Sequence, residues 1–175
     1  MASQGLQQSI LGLIRDVPDY PKPGVLFKDI TPLLDDSAAF QAVVTAMAEA
    51  AGDVTKVVGL EARGFLLAAP VALALGVGVV PVRKSGKLPS ETYAETYDLE
   101  YGTATIEIHR DALRPGDRVL IVDDVLATGG TAAAAASLVR KSGAEAAGLS
   151  VLMELTFLDG RDRLTDLPIH TLVAV

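Results

Sequence analysis

The residues whose types and spacing best suit chemistry lie at positions 119–131, VLIVDDVLATGGT. The apolar run Val119, Leu120, Ile121 and Val122 leads into two adjacent carboxylates, Asp123 and Asp124, then into Ala127, Thr128, Gly129, Gly130 and Thr131. A short unbroken apolar run ahead of a turn reads as a buried parallel strand. Ligands of open α/β sheets sit beyond the carboxyl ends of such strands. Paired glycines let backbone approach a ligand closely. Their amides, the start of the next helix and two Thr hydroxyls form a cradle for a phosphate. Two carboxylates would repel that phosphate. They suit the hydroxyls of an attached sugar, and they stabilise positive charge developing on it. Alone, an acidic pair is a solvated strand end and a Gly-Gly is a turn. Together, between a strand and a helix, they predict a ribose 5-phosphate site. No GxGxxG follows a strand and no GK[ST] follows the glycines, so the dinucleotide and P-loop readings fail.

The elements that must position these groups follow from patterning. An amphipathic helix is expected over 7–17, and the Pro-rich segment 18–24 cannot be helix interior. Thr31-Pro32 opens a helix with Pro at its first position, and Ser37 is expected to cap another that runs to about 51. A strand over 56–61 follows. Residues 64–82 carry no charge, a length close to a membrane span, but Pro70, Gly76, Gly78 and Pro81 interrupt them. A buried helix over 64–75 and a strand over 77–82 account for them better. Residues 83–96 read as a long polar loop, and 97–100 with 103–109 as a hairpin about Tyr101-Gly102. A strand over 118–122, an Ala-rich helix over 129–142 ended by Gly143, and strands over 148–154 and 170–175 complete the chain. Strands alternating with helices predict one α/β domain over 1–175, with a parallel sheet and helices on both faces.

Composition sets outer limits. Half of the residues are hydrophobic and the net charge is −7, with a mean hydropathy of +0.37. That supplies a core and leaves apolar area for an oligomer interface. An acidic field disfavours nucleic acid and anionic membranes as partners. The absence of cysteine excludes disulfides, zinc–thiolate sites and thiol nucleophiles, and it fits a reducing compartment. Residues 1–17 show no basic region ahead of an apolar one, as a secretory signal would, so a cytoplasmic location is expected. His109 and His170 stand singly on strand-like segments and read as structural.

The 119–131 segment resembles the ribose-phosphate signature of the type I phosphoribosyltransferases. PDYPKPGVLFKDITPLL at 18–34, GLEARGF at 59–65, VRKSGKLP at 82–89 and YDLEYGTATIEIH at 97–109 narrow the resemblance to the adenine-using branch, along nearly the whole chain. The resemblance implies the family's fold, with a base-binding hood over 1–35 and a flexible loop and hairpin over 83–109. It implies transfer of a phosphoribosyl group from 5-phospho-α-D-ribose 1-diphosphate to adenine, giving AMP and diphosphate. Ala127, Thr128, Gly129, Gly130 and Thr131 would hold the 5′-phosphate, with Asp123 and Asp124 at the ribose. Mg²⁺, carried largely by the substrate, would lie near those two acids. Glu61-Ala62 would be a cis peptide beside the pyrophosphate, which Arg63, Arg83, Lys84 and Lys87 would meet, the last three on the closing loop. Phe27 would stack on adenine, while main-chain groups of Leu26 and Lys28 pair with its edge. Glu100 would handle the purine's proton, and Tyr101 would pack over the loop or substrate. A homodimer is implied. Xanthine, hypoxanthine or orotate as the base, and a non-catalytic regulator, are the alternatives.

Overall fold

A computed structural model describes residues 3–99 and 102–175. Helix α1 (Gln4–Leu13) leads into strand β1 (Arg15–Val17), which pairs antiparallel with β2 (Phe27–Asp29) as a two-stranded ribbon. Helices α2 (Thr31–Asp35) and α3 (Ser37–Glu49) follow. The rest is wound about one sheet: β3 (Lys56–Leu60), α4 (Gly64–Leu75), β4 (Gly78–Lys84), β5 (Thr92–Asp98), β6 (Thr103–His109), β7 (Arg118–Leu126), α5 (Gly130–Lys141), β8 (Glu145–Glu154) and β9 (Ile169–Ala174). Two 3-10 turns, Thr156–Leu158 and Gly160–Arg163, lie between β8 and β9. The strand order is β5-β6-β4-β3-β7-β8-β9. Strands β4, β3, β7, β8 and β9 run parallel, and the β5–β6 hairpin joins antiparallel through β4.

Both faces of the sheet are covered, as the alternation along β7 shows. Val119 and Ile121 pack with α5 in one core, while Leu120 and Val122 pack with α3 and α4 in the other. A strand buried on both faces must be apolar at every position, which is why VLIV is an unbroken run. The charge-free stretch resolves into α4 and β4, and no helix among the described residues is long and apolar enough to cross a membrane.

Three expectations give way. The first helix ends at Leu13, because Ile14 is extended and residues 15–17 pair with β2. Ion pairs from Lys28 to Asp16 at 2.7 Å and from Arg15 to Asp29 at 3.7 Å brace that ribbon. Asp36, not Ser37, caps α3, its carboxylate accepting from the amides of Ala38 and Ala39. A cap of this kind contributes about 1 kcal/mol. The expected long loop over 83–96 is short: Arg83 and Lys84 finish β4, and Thr92–Asp98 is a strand in full register with β6.

Candidate active site

Strand β7 carries both acids inward, yet it continues past them to Leu126, paired with Glu154 of β8. Asp124 is 4 % exposed, and Asp123 lies half-buried at the floor of a cavity. The Asp123 carboxylate accepts from the Asp124 amide at 2.9 Å. Burial raises the Asp123 carboxyl well above its ordinary range, and the adjacent Asp124 charge adds to this. Arg63, at the start of α4, places Nη2 2.7 Å from Asp124 Oδ2. That oxygen is buried with no hydrogen bond of proper geometry, so the pair is held by charge alone.

After β7 the chain turns through Ala127, Thr128 and Gly129 into α5. Gly129 has φ 78° and stands at the N-cap of α5, whose first turn receives no side-chain cap. The N-terminus of α4 is likewise uncapped. Ser3 caps α1 and Asp36 caps α3, while the short α2 has no side-chain cap either. The first amides of any helix need acceptors from outside it. At α4 the Phe65 and Leu66 amides already donate to the Ala62 and Arg63 carbonyls at 3.2 and 3.1 Å, whereas α5, which begins at the sheet's carboxyl edge, leaves its first amides for an anion. A cavity of about 130 Å³ lies against residues 125–132, bounded also by Asp123. A second, of about 290 Å³, is lined by Glu61, Ala62, Arg63, Lys84, Tyr97, both acids and Thr131.

The Glu61-Ala62 bond between β3 and α4 is cis, as the resemblance implied. Glu61 Oε2 accepts from Arg83 Nε at 3.1 Å and from the Lys84 amide at 3.0 Å. Burial acts to raise this carboxyl, but the Lys84 amide and the Arg83 charge outweigh it and leave it below its usual value. Parallel register explains the meeting: Leu60 pairs with Val82, so the next residues of the two strands, Glu61 and Arg83, emerge side by side. Arg83 also donates to the Lys87 carbonyl at 3.1 Å. Of the three basic residues expected on a polar loop, two sit on β4, and Arg83 is spent on fixing Glu61.

The base-site residues lie on and beside β2. Leu26 is half-exposed, and Phe27 meets Tyr20 edge-on with centroids 5.1 Å apart. The Arg63 guanidinium stands 4.8 Å from the Phe27 ring centroid, and its Nη1 donates to the Lys28 carbonyl at 3.2 Å. One arginine therefore spans the face expected to stack on a purine, a carbonyl expected to pair with it, and the acid expected at the ribose. Asp29, beside them, is held below the ordinary carboxylate range by the Thr31 amide and hydroxyl.

Glu100 and Tyr101 lie outside the described residues. The strand leading to them ends against α5: Tyr97 Oη accepts from Thr131 Oγ1 at 2.9 Å. A Cβ on Gly130 would come within 3.0 Å of the Tyr97 ring. Tyr97 was not singled out from sequence, although β-alternation puts it on the buried side of its strand. Among the described residues no group of three His, Asp or Glu side chains forms a metal cage. Two adjacent carboxylates, one with an unbonded oxygen, fit a hard cation that brings its remaining oxygen ligands with a substrate.

Residues 30–166 match the family described as the phosphoribosyl transferase domain. An adenine phosphoribosyltransferase of Streptomyces coelicolor is 65 % identical over 162 residues, covering 91 % of this chain and 89 % of that protein. The crystal structure of an adenine phosphoribosyltransferase from Thermoanaerobacter pseudethanolicus superposes with a TM-score of 0.94 at 50 % identity, covering 97 % of this chain and 99 % of that one. The enzyme of Saccharomyces cerevisiae, solved with an imino-altritol bisphosphate and adenine, gives 0.92 at 42 % identity, with 97 % and 99 % coverage.

Proposed function

The chain belongs to the phosphoribosyl transferase family and, within it, to the adenine phosphoribosyltransferases, and on that footing we propose that it moves the 5-phosphoribosyl group from 5-phospho-α-D-ribose 1-diphosphate to adenine. AMP and diphosphate leave, a step of purine salvage. The observation that carries this is the convergence on one cavity of the two acids, Arg63, the cis turn and Thr131.

The roles follow from charge. The uncapped start of α5, with Ala127, Thr128, Gly129, Gly130 and Thr131, receives the 5′-phosphate. Asp123 and Asp124 accept from the ribose hydroxyls and stabilise positive charge as the C1′–O bond to diphosphate breaks. The start of α4, with Arg63, Lys84 and Lys87, meets the departing diphosphate, while Arg83 holds the turn through Glu61. Adenine N9 bonds to C1′, with Phe27 against the purine ring and main-chain groups of Leu26 and Lys28 at its edge. Asp123 and Asp124 would hold Mg²⁺ nearby, and when bound it would supply positive charge to neutralise the diphosphate. The protein's own contribution is placement and complementary charge. Incubating the enzyme with donor, Mg²⁺ and adenine, guanine or hypoxanthine in turn tests the reading. AMP should form from adenine at the highest kcat/KM, and equal or better use of another base would overturn the choice.

Glu100 is the group proposed to handle the purine's proton through N7 as N9 attacks. Glu100→Leu is expected to lower kcat by about 10²–10⁴-fold, the usual worth of a positioned acid–base group, with adenine KM little changed. An unchanged kcat removes Glu100 from the chemistry. Tyr101, the next residue, is assigned to packing over the substrate or loop.

A homodimer and a cytoplasmic location complete the proposal. The outer face of α4 and the start of β4 expose Leu66, Leu73 at 81 % and Val79, an apolar patch beside the Arg63 turn that a second copy would cover. Sedimentation equilibrium should return twice the chain mass, and a monomer would refute it. A chain without cysteine suits a reducing compartment.

A further inference from the structure

A closed polar triangle lies outside the cavity, on the far side of the phosphate loop. Arg161 donates from Nε to Glu154 Oε1 at 2.6 Å and from Nη2 to Thr171 Oγ1 at 2.9 Å. Thr171 Oγ1 in turn donates to Glu154 Oε2 at 3.2 Å. Glu154 and Thr171 are 6 % and 7 % exposed. A buried carboxylate is costly unless paired and fully hydrogen-bonded, and here both oxygens are. Glu154 ends β8 and Thr171 lies in β9, so two fixed strands grip one arginine of the connecting segment.

That arginine follows Gly160. A Cβ on Gly160 would fall on the Ala127 carbonyl and within 3.1 Å of the Gly129 nitrogen. A Cβ on Gly129 would fall on the Gly160 carbonyl. The two glycines pack backbone on backbone, so the segment over 156–163 is the back wall of the phosphate loop. The Leu155 amide donates to the Leu126 carbonyl at 2.9 Å, fastening the start of the same segment to the end of β7.

We propose that Arg161, held by Glu154 and Thr171, is a positioning residue for donor binding: it presses Gly160 against the phosphate loop and fixes the loop amides for the donor's 5′-phosphate. This rests on the reading of 127–131 as the phosphate site. Glu154, Arg161 and Thr171 do not line either cavity at the acids. Their effect runs through Gly160, and misplacement of a binding group by a fraction of an ångström is felt in affinity.

The experiment is steady-state kinetics with donor and adenine varied separately, alongside thermal melting. The variants are Arg161→Leu, Gly160→Ala, Thr171→Val and Thr171→Ser, with Thr128→Val as the loop control. Arg161→Leu, Gly160→Ala and Thr171→Val are each expected to raise donor KM about tenfold or more, with adenine KM within about twofold of the parent. Thr171→Ser, which keeps the hydroxyl, should restore donor KM. A merely structural role would lower melting temperature and active fraction while leaving both KM values in place. Unchanged donor KM in the three disruptive variants, or a parallel rise in both KM values, overturns the proposal. Should Arg161→Leu fail to fold, Gly160→Ala and Thr171→Val decide it by the same criteria. If Thr128→Val also leaves donor KM unchanged, the phosphate-site reading itself falls. If Thr128→Val raises it while the others do not, only the role of Arg161 falls.

Discussion

Asp124→Asn is expected to lower kcat/KM by about 10²–10³-fold, the scale of losing one preorganised electrostatic contact to a developing charge, while leaving the fold intact. The side chain is nearly isosteric, so packing at the end of β7 is kept. What goes is the negative charge that faces Arg63 at 2.7 Å and would face the ribose as its bond to diphosphate loosens. The stability side runs the other way. Asp124 lies beside Asp123, and two adjacent carboxylates at a buried strand end repel one another, so the uncharged amide relieves that repulsion even as it gives up the Arg63 ion pair. Arg63 keeps its bond to the Lys28 carbonyl and about a third of its side-chain surface in water, so it is not stranded. The melting temperature should hold or rise while turnover collapses, the pattern of a site that trades stability for activity. Thermal melting and initial rates on the same preparation check both halves. Near-parental activity would remove Asp124 from the ribose.

The second large effect is expected at Gly129. Gly129→Ala adds a Cβ to a residue at φ 78°, in the direction of the Gly160 carbonyl. The backbone must shift, since neither side of the contact is a flexible side-chain end. A strained left-handed residue and an overpacked contact each cost about 1–3 kcal/mol. The same shift turns the amides at the start of α5 away from their ligand. Donor KM should rise by about 10²-fold or more, with adenine KM close to parental. Kinetics with each substrate varied and a denaturant titration read the two consequences, and a parental donor KM would show that the turn does not hold the donor.

The parts of the molecule legible in the sequence are those decided locally. Strand β7 could be read because burial on both faces demands an unbroken apolar run, and Gly129-Gly130 because only glycines suit that turn. The cap of α3 was misplaced by one residue, since Asp36 and Ser37 are both good capping types and the extended backbone of Asp36 decides between them. The residues of β5 look like loop because Thr92, Glu95 and Thr96 are polar. What makes them a strand is pairing with β6, a contact with residues 103–109. Residues 15–17 followed the helical period of α1, and β2, twelve residues on, drew them into a ribbon. At the site, the two acids were legible in the residues themselves, and the cis turn only through the family resemblance. The seating of Arg63 on Phe27 and the backing of Gly129 by Gly160 were not, because each joins segments more than thirty residues apart by packing that leaves no mark on composition or period.

The double burial of β7 has a consequence for motion. Its side chains alternate between two cores, and both neighbours, β3 and β8, are central strands. Freeing a β7 amide to exchange with solvent deuterium therefore requires both cores to open, so these amides should exchange only through global unfolding. The β1–β2 ribbon has a single partner on each strand and no residue in the buried class, so its amides can open locally at small cost. The proposed sugar-phosphate half of the site is thus expected to rest on one of the slowest-exchanging strands among the described residues, and the proposed base half on one of the fastest.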